Sequence, residues 1–320
     1  MKICLFNIEQ AGSGVQPYSA ADRMDPGHQP QRSPSGSRED KMRHWRSVLT
    51  LLMVLAMRSN IALADDVRPW GSFEKDTLNP GELSQATPVD VGLPFERVSI
   101  PSSDRKLDGF LVRAEASCQP ALALLIFHGR GETVADWIGV QKFLHHKCVS
   151  SLVFDYSGHG RSSPPGTIDN MNEDSVAALD AFLKLFPAAG RRCLLSHSLG
   201  GGPLLYAATN GNAKPDCVIV ASPFSSLRDI AIRGGAPEQV MLKLPDVWNN
   251  VEATGRLPIP LFWVHSRADK TIPVDLGQRV YDAKTGAKAA NVIDGFDHNA
   301  IYKEMPDAIW SPIIEFAKGM

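Results

Sequence analysis

Cysteine is scarce in this chain of 320 residues, five in all, too few to replace a hydrophobic core with a disulfide scaffold. No Cys-x-x-Cys or Cys/His pair has zinc-ligand spacing, so no metal site is expected. An excess of positive charge is equally lacking. The 33 Lys and Arg against 35 Asp and Glu give a formal charge of -2, and nothing is left over to track a phosphate backbone. Nucleic acid is therefore not an expected partner. There is no internal repeat, and no apolar run reaches the roughly 20 residues that a bilayer requires, so no stable transmembrane anchor is expected. What the chain does have is 43% hydrophobic against 21% charged residues, enough apolar material for one large core. Its Gly and Pro content suits a fold with many short loops.

Residues 1–41 are rich in Gly, Ser, Pro, Gln and Asp without apolar periodicity, which reads as a disordered tail or a mis-assigned start ahead of Met42 or Met24. The character then changes. Lys41, Arg43 and Arg46 precede an apolar run over 47–57, and Ala62-Leu63-Ala64 offers a small-x-small cleavage site before Asp65-Asp66. Residues 42–64 are thus expected to be a secretory signal peptide, and the domain at 65–320 to be periplasmic or secreted. That domain holds Cys118, Cys148, Cys193 and Cys217, an even number in what would be an oxidising compartment.

After a lead-in over 65–93 with no evident regular structure, residues 95–101 and 106–113 alternate in polarity around Ser102-Ser103-Asp104-Arg105, the pattern of a β-hairpin. Strands are then predicted at 122–127, 151–156, 193–196, 217–221, 261–265 and 289–293. Helices are predicted between and after them at 134–146, 173–186, 199–209, 274–283 and 300–317. Continuous apolar strands separated by helices imply a mostly parallel sheet covered on both faces, an α/β fold that binds ligands at the carboxyl ends of its strands.

The residues with chemical potential cluster at those ends. Ser196-His197-Ser198-Leu199-Gly200-Gly201 lies between a strand and a helix as a nucleophile elbow, with Ser196 in place of the usual first Gly. There Ser198 would be the nucleophile and the backbone N–H of Leu199 an oxyanion donor. His128-Gly129-Arg130-Gly131 follows another strand and can supply the second donor from the backbone N–H of Arg130 or of Gly131. Asp269 and His298 follow the last two strands. In that order His298 would relay the proton of Ser198 while Asp269 fixes its tautomer. Any one of these residues alone reads better as an ordinary loop side chain; three in register argue for a triad. Asp297, next to His298, is poorly placed to reach its ring. His128 reads as a loop anchor, Asp155 as a loop-shaping carboxylate, His159 and His197 as neighbours of motif positions, and His145-His146 as solvated helix surface.

With these motifs in view, residues 95–318 resemble an α/β-hydrolase. The stretches 154–162, Ser222-Pro223-Phe224-Ser225-Ser226-Leu227-Arg228-Asp229, Trp248-Asn249-Asn250 and Gly295-Phe296-Asp297-His298-Asn299 are similar to a bacterial serine hydrolase branch. That branch is related to depalmitoylating α/β-hydrolase-domain proteins and to serine-aminopeptidase-like proteins. The resemblance implies an eight-stranded sheet and a triad of Ser198, Asp269 and His298. It assigns no substrate. Ser266, where a Gly usually follows His265, is a second departure. In the strand order usual for such a fold the strands after Cys118 and Cys148 are neighbours, as are those at Cys193 and Cys217. Pairing 118 with 148 and 193 with 217 is then one of three connectivities, with buried free thiols as the alternative. The segment 224–257 is too short for a cap domain and should form a small lid. Its apolar residues Ile230, Ile232, Met241, Leu242, Leu244, Val247 and Trp248 suit either an acyl group or attachment to the helices below. The expected activity is cofactor-independent cleavage of a carboxylic ester or thioester in a small-molecule acyl substrate, through an acyl-enzyme. The alternatives are an aminopeptidase-like peptidase and a non-catalytic periplasmic binding protein on the same fold.

Overall fold

The computed structural model describes residues 68–80, 84–118, 122–187 and 190–319. The tail at 1–41 and the segment at 42–64 lie outside them. The described chain forms strands β1 (Glu96–Ser102) and β2 (Arg105–Val112) after helix α1 (Gly71–Thr77), followed by β3 (Leu122–Phe127), α2 (Ile138–His146), β4 (Val149–Phe154) and α3 (Ile168–Leu185). The nucleophile motif spans β5 (Arg191–His197), one 3-10 turn at Ser198–Gly200 and α4 (Gly201–Asn210). Then come β6 (Cys217–Ala221), the short helices α5 (Leu227–Arg233), α6 (Glu238–Met241) and α7 (Asn250–Gly255), β7 (Leu261–Ser266), α8 (Val274–Ala283), β8 (Lys288–Ile293), α9 (Ala300–Lys303) and α10 (Asp307–Lys318).

The eight strands form one sheet in the order β1-β2-β4-β3-β5-β6-β7-β8. β1 and β2 pair antiparallel through a two-residue turn, Ser102 facing Arg105, and β2 pairs antiparallel with β4. Every remaining pair is parallel. All residues of β3, β4, β6 and β7 are buried, so alternate side chains serve opposite faces. Leu125, Phe127, Leu194, Val218 and Val220 pack on one side with Leu179, Phe182 and Leu204. Leu124, Ile126, Leu195 and Ile219 pack on the other with Trp137, Trp310 and Ile313. This is the expected mostly parallel sheet with helices on both faces. Among the described residues no helix is long and apolar enough to cross a membrane.

β4 lies two residues earlier than the 151–156 expected of it, and α3 starts at Ile168 rather than at 173. The helix expected from 134 opens with a 3-10 turn at Val134–Trp137, and two further regions differ in kind. The lead-in is not irregular throughout: α1 forms over seven residues, too few to show a periodicity, and docks through buried Trp70 and Leu78. The buried Glu74 of α1 pairs with Arg68 at 2.9 Å and accepts the N–H of Ile168 at 2.9 Å. The last helix is two: α9 ends at Lys303 and α10 begins after Pro306, because a proline has no N–H to continue the ladder and pushes the residue before it out of the helical region.

The lid segment folds as α5, α6 and α7. Leu227, Met241 and Trp248 are buried in the main core, and Ile230, Ile232, Leu244 and Val247 pack against it, so these residues attach the lid. Trp248 sits on Gly202 of α4, where a Cβ would lie 2.5 Å from its ring, and donates Nε1–H to Asn172 Oδ1 at 2.9 Å. Only Val240 and Leu242 leave large apolar side chains exposed there. Both disulfides form in the pairing drawn from the strand order: Cys118–Cys148 with Cα atoms 5.4 Å apart, and Cys193–Cys217 at 4.7 Å. Cys193 and Cys217 face each other directly across the β5–β6 ladder.

Candidate active site

At the end of β5 the chain turns so abruptly that Ser198 adopts φ +53°, a left-handed conformation that a serine holds only when its surroundings impose it. Gly200 makes the turn possible, since a Cβ there would lie 2.2 Å from Phe127 O on the neighbouring strand. Ser196, the departure from the usual motif, is fully buried without a protein partner for its hydroxyl. Ser198 itself is 8% exposed, and Leu199 N–H stands at the start of the helical turn, where the backbone donors of a helix are free.

His298 and Asp269 meet as the sequence order requires. Nδ1–H of His298 donates to Asp269 Oδ2 at 2.7 Å, which leaves Nε2 as the basic nitrogen. The other carboxylate oxygen, Oδ1, accepts the N–H groups of Thr271 at 2.8 Å and Ile272 at 2.9 Å. Burial alone would raise the Asp269 pKa, but its hydrogen bonds from His265 and His298 hold it far below the usual carboxylate range. His265 accepts Trp263 Nε1–H on Nδ1 and donates Nε2–H to Ile272 O at 2.9 Å, with Asp269 Oδ2 also 3.4 Å away. Ser266, the second departure, acquires a task of its own. Its Oγ donates to Phe296 O at 2.8 Å and accepts Ala268 N–H, joining the loop of Asp269 to the loop of His298. Asp297 takes the N–H of His298 and does not engage the ring. Among the described residues no hydrogen bond joins Ser198 Oγ to His298 Nε2; in sites of this kind that bond often tightens only with substrate bound.

The loop after β3 carries a residue that sequence reasoning passed over. Glu132, 5% exposed, accepts Gly129 N–H at 2.8 Å and Trp137 Nε1–H at 2.9 Å on Oε2, and faces His197 Nδ1 at 2.8 Å through Oε1. Because Gly129 N–H is taken, Arg130 is the next backbone N–H along this exposed turn. A Cβ at Gly129 would come 2.4 Å from Glu132 Oε1, so a larger residue there would displace that carboxylate. Despite its burial, Glu132 is held down to about 2 by His197, by the nearby His128 and by the N–H of Gly129. The signal was a carboxylate three residues past a Gly at a strand end, which pattern alone does not separate from an exposed loop Glu. His128 is a buried anchor as expected, with Nδ1 against Gly129 O at 2.9 Å and Nε2 3.5 Å from Asp155. Asp155 accepts Val134 N–H at 2.8 Å, so its carboxylate ties the loop after β4 to the turn after β3 and does not close its own loop. His159 is buried and pushed down to about 4, chiefly by desolvation. His146 is exposed on α2, while His145 faces Arg113 O.

Comparison with known proteins extends these observations. The family model described as serine aminopeptidase, S33, matches residues 119–245. The human protein ABHD12B is 23% identical over 215 residues, 59% of this chain and 59% of its own length. The zebrafish lysophosphatidylserine lipase ABHD12 is 26% identical over 212 residues, 56% of this chain and 54% of its own. The chain thus spans little more than half the length of these relatives. In three dimensions it is similar to the Pyrococcus furiosus esterase Pf2001, with a TM-score of 0.63 at 20% identity over 76% of this chain and 97% of that one.

The pH dependence follows from His298. Burial is the largest influence on its ring and lowers its pKa, the hydrogen bond to Asp269 works against that, and His197 lowers it further. Only the neutral ring can take a proton, so a lowered pKa keeps the base functional to lower pH. The acid limb of kcat/KM for an uncharged substrate should have its midpoint below the ordinary imidazole value of about 6.5. A midpoint at or above that value would contradict this assignment of the base.

Proposed function

From the premise that this chain is a member of the α/β-hydrolase superfamily, we propose that it is an exported serine hydrolase cleaving a carboxylic ester or thioester through an acyl-enzyme. The observation that carries the reading is the left-handed Ser198 on its elbow at the same sheet edge as the Asp269–His298 pair, held at 2.7 Å. Ser198 Oγ attacks the acyl carbon as its proton passes to His298 Nε2. Asp269 holds the opposite nitrogen and stabilises the imidazolium. The backbone N–H groups of Leu199 and Arg130 receive the oxyanion. His298 returns the proton to the leaving alcohol or thiol, and water, activated by the same imidazole, releases the acid and frees Ser198.

The choice of ester over peptide rests on the lid carboxylates. A peptidase that removes N-terminal residues needs an acidic group to hold the substrate ammonium. Asp229 is occupied by Arg279 at 2.9 Å and by Ser225 Oγ at 2.7 Å. Asp246 lies 3.7 Å from Arg228, Glu252 pairs with Arg256 at 3.2 Å, and Glu238 is exposed at the start of α6. The names of the zebrafish lipase and the archaeal esterase favour the same side; the description of the family model favours the peptidase. A binding protein without turnover would have no use for a strained serine beside a charged relay.

The basic, apolar and Ala-Leu-Ala succession over 41–64 supports export, as do two disulfides that a reducing cytosol would not maintain. Mass spectrometry of the non-reduced natural protein should find Asp65 at the N-terminus and no alkylated thiol at the four bridged cysteines; an uncleaved chain with free thiols would refute export. On purified enzyme, p-nitrophenyl esters of short to medium acyl chains should give higher kcat/KM than aminoacyl p-nitroanilides. Ser198→Ala should lower ester turnover at least about a thousandfold. If anilides are cleaved better than every ester, the peptidase reading replaces this one, and near-normal turnover by Ser198→Ala removes the nucleophile assignment.

A further inference from the structure

His197, the residue before the nucleophile, has both ring nitrogens committed: Nδ1 to Glu132 Oε1 at 2.8 Å and Nε2 to the backbone carbonyl of His298 at 3.0 Å. The ring is fully buried. A carbonyl oxygen only accepts, so Nε2 must carry a proton. Across from Nδ1, Glu132 already receives Gly129 N–H and Trp137 Nε1–H on its other oxygen, an arrangement that suits the ionised carboxylate. An ionised Glu132 also only accepts, so Nδ1 must be protonated as well.

Resting on the triad reading above, we infer that His197 is a doubly protonated positioning residue, forming with Glu132 a buried imidazolium–carboxylate pair that fixes the main chain of His298 relative to the oxyanion loop. A buried ion pair persists only where further hydrogen bonds satisfy its members. Here they do, and each goes to a part of the site. Gly129 N–H belongs to the loop that carries Arg130, the His298 carbonyl to the base, and His197 itself to the elbow of Ser198. One pair therefore ties three separate strand ends together. Trp137 and Tyr302 close over the ring with centroids 6.3 Å and 5.5 Å away, and the His298 ring lies at 4.7 Å.

The charged and titratable groups facing this pair are His298 from the loop after β8, backed by Asp269 from the loop after β7; Tyr302 from α9; Tyr156 from the loop after β4; and His128, beside Glu132, just after β3. Glu132 raises the His197 pKa against the effect of burial, and the resulting cation lowers that of His298. Removing the cation while Glu132 keeps its charge should therefore raise the pKa of His298 and move the acid limb of kcat/KM to higher pH.

The test reads His197 directly and then through catalysis. In the full chain with nitrogen-labelled histidine, side-chain NMR, with His197 assigned through its contacts to Trp137 and Tyr302, should show both ring nitrogens protonated and unchanged from about pH 6 to about pH 8. One nitrogen in the unprotonated range would mean a neutral pair and overturn the inference. His197→Asn should lower kcat roughly tenfold to a hundredfold with KM within about twofold, since geometry and not binding is lost, and should shift the acid limb upward. Wild-type kcat with an unmoved pH profile would also overturn it. Should His197→Asn fail to fold, the NMR result on the unmodified chain decides. Residual turnover in Ser198→Ala is a separate control: it tests the triad and leaves the protonation state of His197 untouched.

Discussion

The site depends on a shortage of space between two strands. β3 and β5 are hydrogen-bonded neighbours, and the chain leaving β5 has to turn beneath the end of β3. At Gly200 that leaves room for a hydrogen and no more, because Phe127 O and His128 O would both lie within 2.7 Å of a Cβ. A larger residue would have to lift the turn away from the sheet. With glycine in place the turn closes, and the cost is transferred to Ser198, whose left-handed backbone the rest of the sheet sustains. The parallel sheet also supplies the energy to hold it: the flanking strands are buried on both faces, and each fully buried Leu, Ile, Val or Phe contributes about 1.5–3 kcal/mol.

Around that elbow, polar groups are buried in quantity but not at random. Asp269 is surrounded by donors, and Glu132 receives two and faces the ring of His197. Such carboxylates are tolerated because the backbone amides at strand ends have no ladder partners and seek acceptors. The loops after β3, β7 and β8 are thereby stitched to one another by side chains. Ser266 does for the Asp269 and His298 loops what Glu132 and His197 do for the elbow and the loop of Arg130. Both substitutions that depart from the family pattern thus have structural outcomes: a tie between loops at Ser266, and one buried unpaired hydroxyl at Ser196.

The sequence revealed most where periodicity is unambiguous. β3, β6 and α8 have the limits that their apolar runs indicate, and the order of Ser198, Asp269 and His298 could be read because each follows such a run. What could not be read is of two kinds. Short elements such as α1 bury two or three residues and leave no periodic trace, and the break at Pro306 was masked by good helical pattern on both sides. The second kind is a contact between residues distant in the chain. Glu132 and His197 are 65 positions apart, and neither shows in its own neighbourhood that the other exists. The disulfides fall between these cases, since strand order narrowed the pairings but only the register placing Cys193 opposite Cys217 selects one.

The strained Ser198 is the proposed reactive group. Treating the folded protein with a fluorophosphonate and locating the adduct by peptide mass spectrometry tests this directly, because such probes phosphonylate a serine only when a neighbouring base and oxyanion donors activate it. A reactive Ser198 requires stoichiometric modification at that residue, loss of hydrolysis in step with labelling, and no labelling of Ser198→Ala. Modification at another residue, or hydrolysis that persists in fully labelled protein, would contradict it.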